Sequence, residues 1–145
     1  MRNYNLEQED SINRKYAYGF DYDVMHPYMI KSFAPFFVKG SLLELGSHEG
    51  EFTKLFLPFI DDITCVEASD IAITKAKKEL GDNIMFYNNL FEEVSLPKRY
   101  DNIILTHVLE HLDDPVIVLK RINEEWLTES GRLFLVCPNA NAPSR

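Results

Sequence analysis

The sequence predicts an α/β domain, a doubly wound parallel sheet with helices on both faces. Three observations carry this expectation. Short apolar runs recur at residues 42–45, 63–66, 84–87, 100–106 and 131–137. Segments with helical apolar spacing lie between them, and strands alternating with helices build parallel βαβ units covered on both sides. The first run ends in a glycine-bracketed turn, Gly46-Ser47-His48-Glu49-Gly50, where the backbone can bend tightly and approach a ligand.

At 145 residues the chain is long enough for one domain with a real core. Lys and Arg number 15 against 23 Asp and Glu, a formal charge of −8. A nucleic-acid binder needs basic side chains to displace counterions from phosphates, so this balance argues against DNA or RNA as a main partner. Cys65 and Cys137 both sit in apolar runs, where a thiol behaves as a small hydrophobe, and two such cysteines make no disulfide framework. No signal peptide is evident, and no apolar stretch approaches the ~18 residues that span a bilayer. A reducing, cytoplasmic compartment is expected.

In chain order, residues 1–13 are polar and acidic and are expected to fray. Residues 14–27 turn aromatic, with Tyr16, Tyr18, Phe20, Tyr22 and then Tyr28. They read as a loop or short helix over the sheet edge, either packing that closes the domain or a lid over a ligand. Met29, Ile30, Phe33, Phe36 and Phe37 predict a helix over 27–38 that leads to Lys39-Gly40 and the first strand. After the glycine turn, residues 51–57 have the spacing of an amphipathic helix. Ile71, Ala72, Ala76 and Leu80 mark a second helical face ended by Gly81. A short acidic connection occupies 91–96. A further helix is predicted over 116–126, with Pro115 at its first turn, and Pro138 stops the fifth strand.

The turn itself limits the ligand. A pyrophosphate site offers backbone N–H groups at a helix N-terminus, and the carboxylate of Glu44 would repel that anion while suiting a cation. The glycines also miss the G-x-G-x-x-G spacing of dinucleotide sites. Glu67 closes the second strand at the same sheet edge, where it can accept both hydroxyls of a ribose; the plainer reading is a solvated loop acid. Asn88-Asn89-Leu90-Phe91, after the third strand, offers amides and an apolar neighbour for an adenine, or an ordinary turn.

These segments together resemble the class I S-adenosylmethionine-dependent methyltransferases. The matching stretches are Leu43-Glu44-Leu45-Gly46-Ser47-His48-Glu49-Gly50, Val66-Glu67-Ala68-Ser69, Tyr100-Asp101-Asn102-Ile103-Ile104, the run from His107 through Pro115, and the run from Gly131 through Asn139. They cover about residues 36–139, and five segments in order are far more specific than any one. The resemblance is nearest to small-molecule enzymes of the ubiquinone-biosynthesis and sugar-modifying kind. It implies a Rossmann-like fold, S-adenosylmethionine as cofactor and a small-molecule acceptor such as a sugar or quinone-like metabolite. By the same resemblance Glu44, Gly46 and Gly50 surround the methionine end and Glu67 holds the ribose. Asn89 and Leu90 flank the adenine, Thr106 and His107 floor the site beside the sulfonium, and Ser47 and Ala68 count among the cofactor contacts. The chain departs from the family at His48, where glycine is usual, so His48 is either turned away or a contact. Residues 1–35 then form an aromatic lead-in and candidate lid, and 36–145 the cofactor-binding domain. The family fold carries two more strands after the fifth, so these residues are expected to be a portion of a longer polypeptide.

Methyl transfer from a sulfonium is an in-line displacement, for which a protein chiefly supplies alignment and exclusion of water. A base matters when the acceptor must lose a proton, and His107 and His111 are the available imidazoles; packing at the start of the next helix is the plainer role for His111. Residues 107–111 also spell H-x-x-E-H, the inverted zinc-peptidase signature, but that motif needs a sustained helix and Pro115 forces a fresh start. A non-catalytic domain with the same fold is the stronger rival. Loss of the ribose acid or a filled glycine turn would favour it.

Overall fold

The computed structural model describes residues 22–139; the expectations for residues 1–13, and for Tyr16, Tyr18 and Phe20, lie outside them. Five strands form one parallel sheet: β1 (Ser41–Leu45), β2 (Asp62–Glu67), β3 (Met85–Asn88), β4 (Tyr100–Thr106) and β5 (Leu127–Val136), in the order β3-β2-β1-β4-β5. The order reverses beside β1, which is the central strand and is buried along its whole length. Its apolar run reflects that position, since a central parallel strand is covered on both faces.

Side-chain alternation splits the core in two. One face carries Leu42, Ile63, Cys65, Ile104 and Phe134, packed against Ile30, Phe52, Phe56 and Ile60. The other carries Leu43, Leu45, Val66, Ile103 and Leu105, packed against Val108, Val118, Ile122 and Trp126. At the opposite end from the glycine turn, Asn102 accepts from the Val38 N–H at 2.9 Å and donates to the Val38 carbonyl at 2.8 Å. Asp101 accepts from the Ser41 N–H at 2.9 Å and holds β1 and β4 in register.

Helix α1 (Tyr22–Phe33) contains Pro27, where the sequence predicted a helix beginning there. The missing N–H frees the carbonyl of Asp23, which is exposed, so the proline is tolerated. Pro35 then leaves only a 3-10 turn over Ala34–Phe36. The helix expected over 51–57 is also corrected: a 3-10 turn at Thr53–Leu55 lies between irregular turns. The bonds Leu55 N–H to Phe52 O and Phe56 N–H to Thr53 O, both 3.0 Å, are of the tighter i to i−3 kind. Pro58 cannot continue an α-helix because its ring conflicts with the carbonyl four residues back.

Helix α2 (Asp70–Leu80) starts on a Ser69 cap that accepts from the Ala72 N–H and ends at Gly81. Helix α3 (Pro115–Arg121) has Asp114 as its cap and Pro115 in its first turn, then winds into a π-helical stretch, Ile122–Trp126. Strand β5 begins at Leu127, earlier than the expected 131, because its register against β4 shifts between Tyr100 and Asn102 and so hides the strand start.

Candidate functional site

The register brings the carboxyl ends of the strands to one line. Leu45 pairs with Val66 and with Leu105, Glu67 pairs with Asn88, and Thr106 pairs with Val136. In an open α/β sheet a ligand sits outside this edge at the place where strand order reverses, which here is the end of β1.

Gly46 leaves β1 at φ +80°, and its N–H donates to the Val66 carbonyl at 2.9 Å. A Cβ there would lie 2.6 Å from Val108 Cγ2, so conformation and packing both demand glycine. Gly50 closes the turn at φ +83°, with Leu80 Cδ1 2.6 Å from where a Cβ would stand. His48 adopts φ +50°, the left-handed conformation that glycine takes most easily, and its side chain is exposed. It therefore leaves the interior of the turn open.

Glu67 is the organising acid. Its Oε2 accepts from the His48 N–H and its Oε1 from the Ser69 N–H, each at 2.9 Å. Asn88 braces the same corner by donating from Nδ2 to the carbonyls of Glu67 and Ala68 at 3.1 and 3.0 Å. Asn89 is exposed beyond β3, and Leu90 is half-buried, its carbonyl accepting from the Glu93 and Val94 N–H groups.

Glu44, two residues before Gly46 on β1, is 2 % exposed. Thr53 donates to its Oε2 at 2.6 Å, and the Cys65 thiol points at the same oxygen from 3.9 Å. Burial pushes the Glu44 carboxyl up to about 7, against the pull of the Thr53 and Cys65 bonds, and the negative charge of Glu67 pushes it the same way. Burial likewise raises the Cys65 thiol well above its usual range. Ser47 is buried at the same corner.

On the far side, Thr106 ends β4 half-buried and His107 turns to φ +55°. The His107 N–H donates to the Val136 carbonyl at 2.8 Å, and Nδ1 stands 3.8 Å from Glu110 Oε1. Its Nε2 is buried and makes no hydrogen bond among the described residues. His111 is exposed at the end of a single 3-10 turn, Leu109–His111. Two histidines so placed do not share a helix face, which removes the zinc-peptidase reading. Among the described residues no group of three or more His, Cys, Asp or Glu could hold a metal ion.

His26 escaped the sequence. On α1 it stacks against Phe52, ring centroids 4.7 Å apart. Its pKa is lowered chiefly by burial, with His107 and Lys54 acting in the same direction and Glu51 and Asp23 opposing.

A family model described as a methyltransferase domain matches residues 20–145. The chain belongs to the methyltransferase-domain family. Among solved structures of similar fold is the N-methyltransferase NodS from Bradyrhizobium japonicum WM9 in complex with S-adenosyl-L-homocysteine. It is 20 % identical with a TM-score of 0.73, over 92 % of this chain and 72 % of that one. DhpI, in complex with SAH, has the same identity and TM-score over 90 % of this chain and 66 % of its own. The glycopeptide N-methyltransferase MtfA, complexed with S-adenosyl-L-methionine, is 22 % identical with a TM-score of 0.66, over 76 % of this chain and 48 % of its own. The chain thus spans from 48 % to 72 % of these neighbours' lengths. In this methyltransferase domain the fold gathers Gly46, Ser47, His48, Glu67, Thr106 and His107 at one edge, buries Glu44 within β1, and leaves Asn89 and His111 at the exposed margin.

Proposed function

We propose that the domain binds S-adenosylmethionine at the carboxyl edge of β1, β2 and β4 and transfers its methyl group to a small-molecule acceptor. The observation that carries this reading is the Glu67 carboxylate, tied by one oxygen to the turn after β1 and by the other to the chain after β2. Each oxygen keeps a second lone pair, so a ribose diol can bind without breaking either bond. The glycine turn is followed by a 3-10 turn with no α-helix, and so offers little of the positive field that a pyrophosphate needs. The residues therefore suit a cationic nucleoside better than an anionic one.

When bound, the cofactor supplies an electrophilic methyl group on a positively charged sulfur. Gly46 gives backbone close approach, Glu67 and Ala68 fix the ribose, and Leu90 with Asn89 borders the base. Glu44, two residues before Gly46, is the acid nearest the methionine end. Thr106 and His107 line the reacting end, and the unpartnered Nε2 of His107, backed by Glu110, is placed to take a proton. His111 is too far out along the 3-10 turn to share that task.

A base on this side favours an acceptor with an N–H or O–H, as in the sugar-modifying and quinone-modifying branch that the motif order resembles. Two of the similar structures are N-methyltransferases by name, which supports nitrogen as well as oxygen. The rival, a domain that keeps the fold without the activity, would be favoured by a filled turn or a lost ribose acid; His48 points outward and Glu67 is in place. The free thiols of Cys65 and Cys137 support a reducing, cytoplasmic setting, and within the described residues the lead-in to β1 is α1 with its 3-10 turn.

Calorimetry with S-adenosylhomocysteine tests the cofactor half of this reading, and absence of heat at millimolar ligand with the protein folded would overturn it. Incubation with methyl-labelled cofactor and a small-metabolite extract tests the other half. Label should appear in a low-mass product.

A further inference from the structure

Strand β3 ends at Asn88, which pairs in register with Glu67 at the end of β2. Past this last pair the chain leaves the sheet through Ala68 and reaches Ser69, the cap of α2. The Asn88 side chain bridges that departure. Its Nδ2 donates to the Glu67 carbonyl at 3.1 Å and to the Ala68 carbonyl at 3.0 Å, one amide proton for each of two successive peptide groups. The second of those groups works from both ends. The peptide unit that offers the Ala68 carbonyl to Asn88 also carries the Ser69 N–H, which donates to Oε1 of Glu67 at 2.9 Å. Because a peptide unit is planar, fixing its carbonyl fixes the direction of its N–H. A continuous path therefore runs from the Asn88 amide through one peptide plane to the Glu67 carboxylate, whose Oε2 is held in turn by the His48 N–H.

We propose that Asn88 is a positioning residue of the ribose site, holding the backbone of residues 67–69 so that the Glu67 carboxylate stands ready for the two ribose hydroxyls. It rests on the cofactor reading above, and it commits the Asn88 amide nitrogen to the chain, leaving the border of the base to Asn89 and Leu90. The side chain matches the task. A carboxylate at this position has no proton for either carbonyl, a hydroxyl has one for two, and glutamine carries its amide one methylene further out. Without the amide, residues 67–69 regain conformational freedom, and binding has to meet the cost of ordering them. The corner is exposed, so water competes for both neutral bonds and the loss is modest.

The test uses Asn88→Ala and Asn88→Leu in the full chain, the second keeping the branched shape without a proton to donate. In the ligand-free protein both should speed amide exchange at His48 and Ser69, the two N–H groups that Glu67 accepts, by about 3- to 10-fold. Calorimetry then compares S-adenosylhomocysteine with the same compound lacking both ribose hydroxyls. Each variant should weaken the diol ligand by about 3- to 10-fold and the other by about twofold at most. In a Glu67→Ala background the same substitutions should change neither affinity, since residues acting through one another are not additive. Equal losses for the two ligands, a loss that persists without Glu67, or unchanged exchange and affinity would each overturn the proposal and leave the cofactor reading standing. If the wild-type chain binds neither ligand, the cofactor reading fails and this proposal falls with it.

Discussion

Oε2 of Glu67 accepts a hydrogen bond from the backbone N–H of His48 at 2.9 Å, joining the end of β2 to the turn that leaves β1. The acid is thereby oriented before any ligand arrives. Preorganisation of this kind lowers the ordering cost of binding, so most of the energy of its ligand bonds appears as affinity. Glu67→Ala should weaken S-adenosylhomocysteine by about 10- to 100-fold, since a hydrogen bond to a charged group contributes about 1.5–3 kcal/mol. Calorimetry reads this, and an affinity within twofold of wild type would remove Glu67 from the ribose site.

Glu44 makes the opposite use of a carboxyl. Its pKa is raised from an ordinary 4.5 to about 7 by burial, so between those values the folded protein holds a proton that the unfolded chain releases. Stability is fully present below the lower value, falls as pH rises through the window, and levels off above it, a loss on the order of 3 kcal/mol. Glu44→Gln should flatten this slope and make the variant the more stable form above neutrality. Urea denaturation at about pH 5 and about pH 8 gives the comparison; equal pH dependence in both proteins would contradict the assignment.

Gly46→Ala should fail twice over, by conformation at φ +80° and by the 2.6 Å approach of Val108 Cγ2. The left-handed conformation alone costs about 1–2 kcal/mol in a non-glycine residue, and the clash adds to it. A lowered Tm and lost cofactor binding are expected. Combining it with Val108→Ala should recover the steric part and leave the conformational part, so a double variant no better than the single one would show that the clash is relieved elsewhere.

The strands were legible because a central parallel strand needs a near-continuous apolar run, and Leu42-Leu43-Glu44-Leu45, interrupted only by Glu44, and Ile103-Ile104-Leu105 supply it locally. The strand ends were legible for the same reason, since Glu67 is the first polar residue past Val66 and Thr106 the first past Leu105. What failed depends on partners distant in sequence. Thr53 was read as one position of a helix, yet its hydroxyl is committed to Glu44. His26 gave no local signal at all, because its placement comes from Phe33 packing on Phe52 and Phe134 across the sheet. The depth of Glu44 was equally hidden, because its burial comes from Thr53 and Cys65, which lie 9 and 21 residues away in the chain.

Arg121 offers a last test, since it ties the 90–94 loop, beside the proposed base site, to the helix behind it. Its guanidinium stacks 4.6 Å from the Trp126 ring and donates to the carbonyls of Phe91 at 2.6 Å and Val94 at 2.7 Å, while Glu125 pairs with it at 2.8 Å. The pair with Glu125 lies at the surface and contributes little, but the two carbonyls lose a charged donor if the side chain is cut. Arg121→Ala should cost about 2–4 kcal/mol and speed amide exchange over residues 90–94. Arg121→Lys should recover little, because an ammonium cannot stack as a plane while reaching both carbonyls. Affinity for S-adenosylhomocysteine should fall less in either variant than in Glu67→Ala, since Arg121 acts on the ligand only through the 90–94 loop. A larger loss would mean that this loop contributes more of the binding than the ribose acid does.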